Sequence, residues 1–219
     1  MLSHLYKLFL DALKWPFNTR ETRPSVPTFD FIDQNKQLAT LLNRSEQSTV
    51  IFVAIEAHFL DQAGVKTVEI GLSTWCPDII SSVECHHWII QHDISLENGY
   101  NSSIFQYGTT QVVTESQIKS ILSRYFESLE SHFTTISVVG YNIHSTLEIL
   151  EKHWRVPDST IVLDTQNIWQ SLHGRTCSVP LEQALETTHG VKFSRHLLNN
   201  AGNDSRYIID LLLALGELI

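Results

Sequence analysis

Residues 49–58 of the chain read TVIFVAIEAH, and this stretch decides the fold. From Val50 to Ile55 the run is apolar and mostly β-branched, the pattern of a central strand buried on both faces. Glu56 and His58 then interrupt it two residues apart, so both side chains leave the strand on one side. Val65–Leu72 follows a short turn containing Gly64 and reads as a hairpin partner. HWIIQH (His87–His92) predicts a third strand, and Leu96–Gln106 a polar excursion around Asn98, Gly99 and Asn101. Beyond it the period changes from two to helical. Thr114 and Gln117 form a capping-box pair, and Ile118, Ile121, Leu122, Tyr125 and Leu129 make the buried stripe of the helix that follows. Ile136–Gly140 and Thr160–Leu163 read as strands. His144–His153, Thr165–Leu172, Leu181–Thr187 and a last segment from about Asn199 to Gly216 read as helices, the last facing inward through Ala201, Ile208, Leu211, Leu212 and Leu215. Three strands in a meander, then alternating helix and strand, predict an α/β mixed sheet.

Working outward, 219 residues with 42% apolar content can bury one sizeable core. Leu2, Leu5, Tyr6, Phe9, Leu10 and Leu13 lie at helical spacing and predict an amphipathic helix that docks on the domain or on a protein partner. Pro16 and the stretch Asn18–Thr28, with Pro24 and Pro27, break it into a linker. A second short helix is expected from about Asp33 to Asn43. Residues 1–47 therefore read as an N-terminal helical extension and linker, and residues 48–219 as the folded domain. Three widely spaced cysteines, Cys76, Cys85 and Cys177, suit a reducing compartment. No apolar run approaches the roughly 20 residues that cross a bilayer, so the expectation is no membrane partner and a cytoplasmic or nuclear location. The net charge of −9 comes without a basic run, which argues against a broad electrostatic nucleic-acid surface. The local basic groups are Lys192, Arg195, His196 and Arg206.

Four segments carry more than fold. They are TVIFVAIEAH, TVEIGLS (Thr67–Ser73), VVGYNIHSTLEIL (Val138–Leu150) and LNNAGNDSRY (Leu198–Tyr207). In order and spacing the chain resembles the DEDD 3′–5′ exonucleases of the RNase H-like fold over about residues 48–217. More closely, through these segments with HHWIIQH, NGYNSSIFQYGTTQVV and VLDTQNIW, it is similar to a fungal RNase H-like domain family. The founding yeast member of that family is named for supporting a DEAD-box helicase of mRNA export. The resemblance implies an RNase H-like mixed central sheet flanked by helices.

It also implies where a two-metal site would stand. The active enzymes hold two Mg²⁺ about 4 Å apart in a ring of carboxylates, with a histidine as general base. The first acid of that set corresponds to Glu56, one methylene longer than aspartate. The second corresponds to His58, a poor ligand for Mg²⁺. The helical acid corresponds to Thr146, which carries no charge, and the general base to Asn199, which takes up no proton at neutral pH. Asp204 alone is unchanged. Two dications bring four positive charges, and only Glu56 and Asp204 remain to answer them, so the expected site is degenerate and no cofactor is expected. The alternative is an active exonuclease in which Glu56 and Asp204, with His58, retain a single Mn²⁺, Mg²⁺ or Zn²⁺.

Each residue also has an ordinary reading. On it, Glu56 faces solvent or pairs with Arg206, His58 is a loop histidine, Thr146 caps its helix, and Asp204 bonds backbone amides. Cys85-His86-His87 is a weak metal candidate, because His86 and His87 point to opposite faces of a strand. Asp164 reads as an N-cap and Glu69 as an anchor for backbone near the cleft. Two non-catalytic functions follow. One is a module holding RNA, single-stranded ends or a nucleotide, with Lys192, Arg195 and Arg206 rimming a cleft that offers Asn142, Thr146 and Asn199; its binding should ignore EDTA and weaken steeply with salt. The other is an interaction module whose N-terminal helix contacts proteins of RNA metabolism.

Overall fold

Strand β1 (Val50–Phe59) runs through the interior of a mixed sheet, as its apolar sequence requires. A computed structural model describes residues 33–43, 49–59, 67–78, 82–91 and 104–219. The amphipathic stripe of residues 2–15 and the linker after it lie outside the described residues, as do Gly64, Val65, His92 and most of the polar excursion. β1 pairs antiparallel with β2 (Thr67–Trp75), which pairs antiparallel with β3 (Glu84–Gln91). On its other edge β1 pairs in parallel with β5 (Thr135–Gly140), and β5 with β6 (Ile161–Asp164). With β4 (Thr110–Thr114) beside β3, the described strands are ordered β4-β3-β2-β1-β5-β6.

The alternation of side chains along β1 builds two cores. Ile51, Val53, Ile55 and Ala57 pack with α2 (Glu115–Glu130) and α3 (Ile143–Leu150). Val50, Phe52 and Ala54 pack with α1 (Gln34–Leu42), α4 (Thr165–Leu172), α5 (Leu181–Thr187) and α6 (Ala201–Gly216). Full burial of residues such as Phe52 and Ile51 contributes about 1.5–3 kcal/mol each. The sheet is thus flanked by helices on both faces.

The predicted helices and strands downstream of residue 114 are found within a few residues of their expected ends. The capping box holds: Gln117 Oε1 accepts from the Thr114 amide at 2.7 Å and the Thr114 hydroxyl at 3.0 Å. β4 is not anticipated by the sequence, because an edge strand of five residues with only Val113 buried leaves little periodic signal. β1 also continues to Phe59, past the apolar run, which carries Glu56 and His58 to the sheet's end. α1, within the stretch read as an extension, is packed into the second core through Leu38 and Leu41, both essentially fully buried. Gln34 accepts from the Asp164 amide at 3.0 Å, and Asn35 donates to Ser171 at 2.9 Å.

Candidate active site at the end of the central strand

Three elements converge where β1 ends. β1 supplies Glu56 and His58, α3 supplies Thr146, and α6 supplies Asp204. The Thr146 hydroxyl donates to Glu56 Oε1 at 3.2 Å, and the same oxygen accepts from the Ala57 amide at 3.2 Å. Burial pushes the Glu56 carboxyl up to about 7; the nearby His58 pulls it back and Asp204 adds to the rise. His58 Nε2 lies 3.3 Å from Asp204 Oδ2. Burial works against the charged imidazole, but the Asp204 hydrogen bond and the Glu56 charge outweigh it, and His58 titrates above its ordinary value. The Asp204 carboxyl is raised as well, since burial exceeds the opposing pull of His58 and the Asn199 backbone. Asp204 Oδ1 is buried and has no hydrogen-bond partner among the described residues.

The start of α6 is fixed by a buried polar cluster. Glu69 on β2 has no exposed surface; it accepts from the Ala201 amide and lies 2.8 Å from His87 Nε2. A carboxylate there also faces the positive end of the helix dipole. His87 Nδ1 reaches Thr110 Oγ1 at 2.8 Å. Asn200 caps the helix by accepting from the Asn203 amide at 3.0 Å, and Asn203 in turn donates to the Leu197 and Ile104 carbonyls at 2.8 and 2.9 Å. Gly71 lets α6 lie directly on β2, where any Cβ would overlap the Ala201 carbonyl oxygen. Glu69 is therefore the backbone anchor read from its strand position, and His87 is committed to this cluster. His86 turns to the opposite face, where its ring packs edge-on to Tyr125 of α2 at 5.6 Å.

Beside the β1 end lies a cleft of about 400 Å³, lined by Glu56, His58, Phe59, Asn142, Ser145, Thr146 and Asn199 together with Ala57, Tyr141 and Ile149. Asn142 and Asn199 both take left-handed backbone, φ 55° and 62°, a conformation asparagine accepts more readily than most residues. Asp164 holds the first of these. Its Oδ1 accepts from the Asn142 amide at 3.0 Å and from Gln166 at 2.9 Å, so one carboxylate caps α4 and shapes the cleft wall. The sequence marks Asp164 only as a cap, and nothing in it singles out Phe59, Tyr141 or Ser145.

The structure therefore brings together Glu56, His58, Thr146 and Asp204, with Asn142 and Asn199 at the cleft. It does not bring the expected basic rim. Lys192, Arg195 and Arg206 are absent from the cleft lining. Arg206 stands two residues after Asp204, roughly 200° further round a helix, and so points elsewhere. It forms a paired contact with Asp210 at 3.0–3.1 Å and lies 5.2 Å over the Tyr107 ring, leaving Glu56 unpaired by it. Arg195 bonds Glu182 at 3.1 Å and also Glu186.

The donor set does not fit a pair of dications. Glu56 is occupied by a neutral hydroxyl where a third carboxylate would be needed, and Asp204 shares one oxygen with an imidazole. Among the described residues no group of three His, Cys, Asp or Glu side chains is arranged to hold a metal ion. No described helix is long and apolar enough to cross a membrane.

Among known families, the DEDDh model described as DNA polymerase III subunit epsilon-like, C-terminal domain, matches residues 51–215. Comparison with curated proteins gives no match. Among solved structures, product-bound exonuclease I is similar at TM-score 0.42 and 13% identity, covering 76% of this chain and 42% of that one. A zinc-bound complex of Escherichia coli exonuclease I with single-stranded DNA has TM-score 0.42 and 11% identity, over 77% and 40%. The chain thus spans about two fifths of the length of these exonuclease chains.

Proposed function

This chain belongs to the family of DNA polymerase III subunit epsilon-like C-terminal domains, and from that premise we propose that it is a catalytically degenerate exonuclease-fold protein. In this reading it holds RNA or other single-stranded nucleic acid in the former substrate cleft without metal ions. Its role is that of an adaptor in RNA metabolism, in the cytoplasm or nucleus, alongside the fungal family that its motifs resemble. The observation that carries the reading is the Thr146–Glu56 hydrogen bond, which stands where a two-metal enzyme would set two carboxylates against a cation. Asn199, at the position of the general base, has no group that takes up a proton at neutral pH.

The test has two arms on the full chain. Labelled single-stranded RNA and DNA should bind equally in Mg²⁺ and in EDTA. Neither should be shortened in Mg²⁺, Mn²⁺ or Zn²⁺ supplied in turn. One feature favours a second reading, an active exonuclease with a single Mn²⁺ or Zn²⁺: Asp204 Oδ1 is buried and has no hydrogen-bond partner among the described residues. Degradation abolished by Asp204→Ala would establish that reading and end the first.

A further inference from the structure

Helix α1 reaches the cleft wall through a single intermediary. Gln34, the first residue of α1, accepts from the main-chain amide of Asp164 at 3.0 Å across 130 positions of sequence. Asp164 ends β6, where it pairs with Gly140 of β5, and only 3% of it is exposed. Its carboxylate accepts from the Asn142 amide at 3.0 Å and from the Gln166 amide at 2.9 Å. One residue thus meets α1 with its amide and holds the cleft wall with its carboxylate.

The wall depends on that hold. Asn142 takes left-handed backbone, φ 55° and ψ 51°, immediately before α3. Such a conformation persists in a residue with a side chain where the surroundings fix it, as the bond from its amide to Asp164 does. Asn142 and Ser145 line the cleft, and Thr146 of the same helix bonds Glu56. If the Gln34 acceptor is withdrawn, the buried Asp164 amide has no ready replacement in water. Its backbone must shift to find one, and the carboxylate moves with it.

α1 is itself firmly seated. Leu38 and Leu41 are essentially fully buried in the second core, and Asn35 donates to Ser171 of α4 at 2.9 Å. Residues 34–42 precede the family-matched stretch, 51–215, so this support comes from outside the shared domain. We propose that Gln34 is a positioning residue for the cleft: through Asp164 it sets the backbone of Asn142 and the start of α3. The coupling is a property of the chain whatever the cleft holds. Its effect on affinity rests on the nucleic-acid reading above.

Gln34→Met keeps the length and helix propensity of the side chain and removes the acceptor. In the full chain, amide hydrogen exchange followed by NMR should quicken about tenfold at Asp164 and at Asn142, the scale of one lost hydrogen bond. Ile55 in β1 and Leu212 in α6 should exchange as before. Asn35→Ala removes the neighbouring contact to Ser171, spares the Gln34 bond and should leave Asn142 unaffected. Single-stranded RNA should bind Gln34→Met about fivefold more weakly than the unaltered chain.

Unaltered exchange at Asn142 would overturn the proposal and reduce Gln34 to a plug for the strand edge. So would equal acceleration at Ile55 and Leu212, the mark of general loosening, or an equal effect of Asn35→Ala on Asn142. Unchanged RNA affinity alongside a quickened Asn142 would refute the positioning role as well. If the unaltered chain binds no oligonucleotide, the nucleic-acid reading falls, and the exchange result alone decides the coupling.

Discussion

Glu56 is the residue whose environment matters most. Its carboxyl titrates at about 7, against an ordinary 4.5, because burial disfavours its charge. A carboxyl raised in the folded state binds its proton more tightly there than in the unfolded chain. Its contribution to stability is therefore fully present below about 4.5 and is lost as pH rises through about 7. The shift corresponds to about 3 kcal/mol at most, and partial exposure reduces this to about 1–2 kcal/mol. Glu56→Gln keeps an acceptor for Thr146 and removes the ionisation. It should raise the melting temperature at pH 8 and leave it nearly unchanged at pH 4.5. Equal effects at both values would show that the carboxyl is not burdened by burial. At this scale the sequence reveals which residue types occupy the β1 end and that their charge is short. It does not reveal that His58 turns to Asp204 and Thr146 to Glu56, because those partners lie 146 and 90 positions away and only the fold introduces them.

Among the elements, α6 carries the most. Its N-terminus rests on β2 at Gly71 and is tied down by Glu69 and Asn200. Gly71→Ala drives a methyl group into helix backbone, which cannot retreat without breaking the Glu69 contact. The expected cost is about 3 kcal/mol or more in urea unfolding, at the upper end for overpacking. Asn200→Ala should cost about 1 kcal/mol by loss of the cap. A Gly71→Ala protein of unchanged stability would mean that α6 does not sit on the strand as described. Element by element, the strong periodic segments were legible: β1, α2, α4, α5 and α6 follow from apolar spacing and cap residues. β4 was not, since its register comes from pairing with β3 instead of from its own sequence. Arg206 is absent from the cleft lining for a related reason. Closeness along the chain set Arg206 beside Asp204, whereas helical rotation separates them.

For the molecule as a whole, the β1 run and the alternation after it are enough to foresee an α/β mixed sheet, and the family match over residues 51–215 agrees. The division of the chain is less legible. α1 reads as part of an extension because its apolar content is modest, yet Leu38 and Leu41 are at 0% and 1% exposure within the core beneath α6. Leu38→Ala and Leu41→Ala should each destabilise the chain by about 2–5 kcal/mol, as truncations in a close-packed interior do. Values under about 0.5 kcal/mol, the scale of ordinary surface changes, would make α1 an appendage.

In the proposed reading, the Thr146–Glu56 contact also governs how hard it would be to restore a two-metal site. Thr146→Asp alone sets two carboxylates face to face in a half-buried site with no cation to reconcile them. His58→Glu alone replaces the imidazole partner of Asp204 with a second carboxylate. Both of these first steps toward a two-metal ligand ring thus run uphill, and the ring becomes favourable only after several changes made together. In the proposed reading, two-metal chemistry is thus locked out by electrostatics, in the manner of a ratchet.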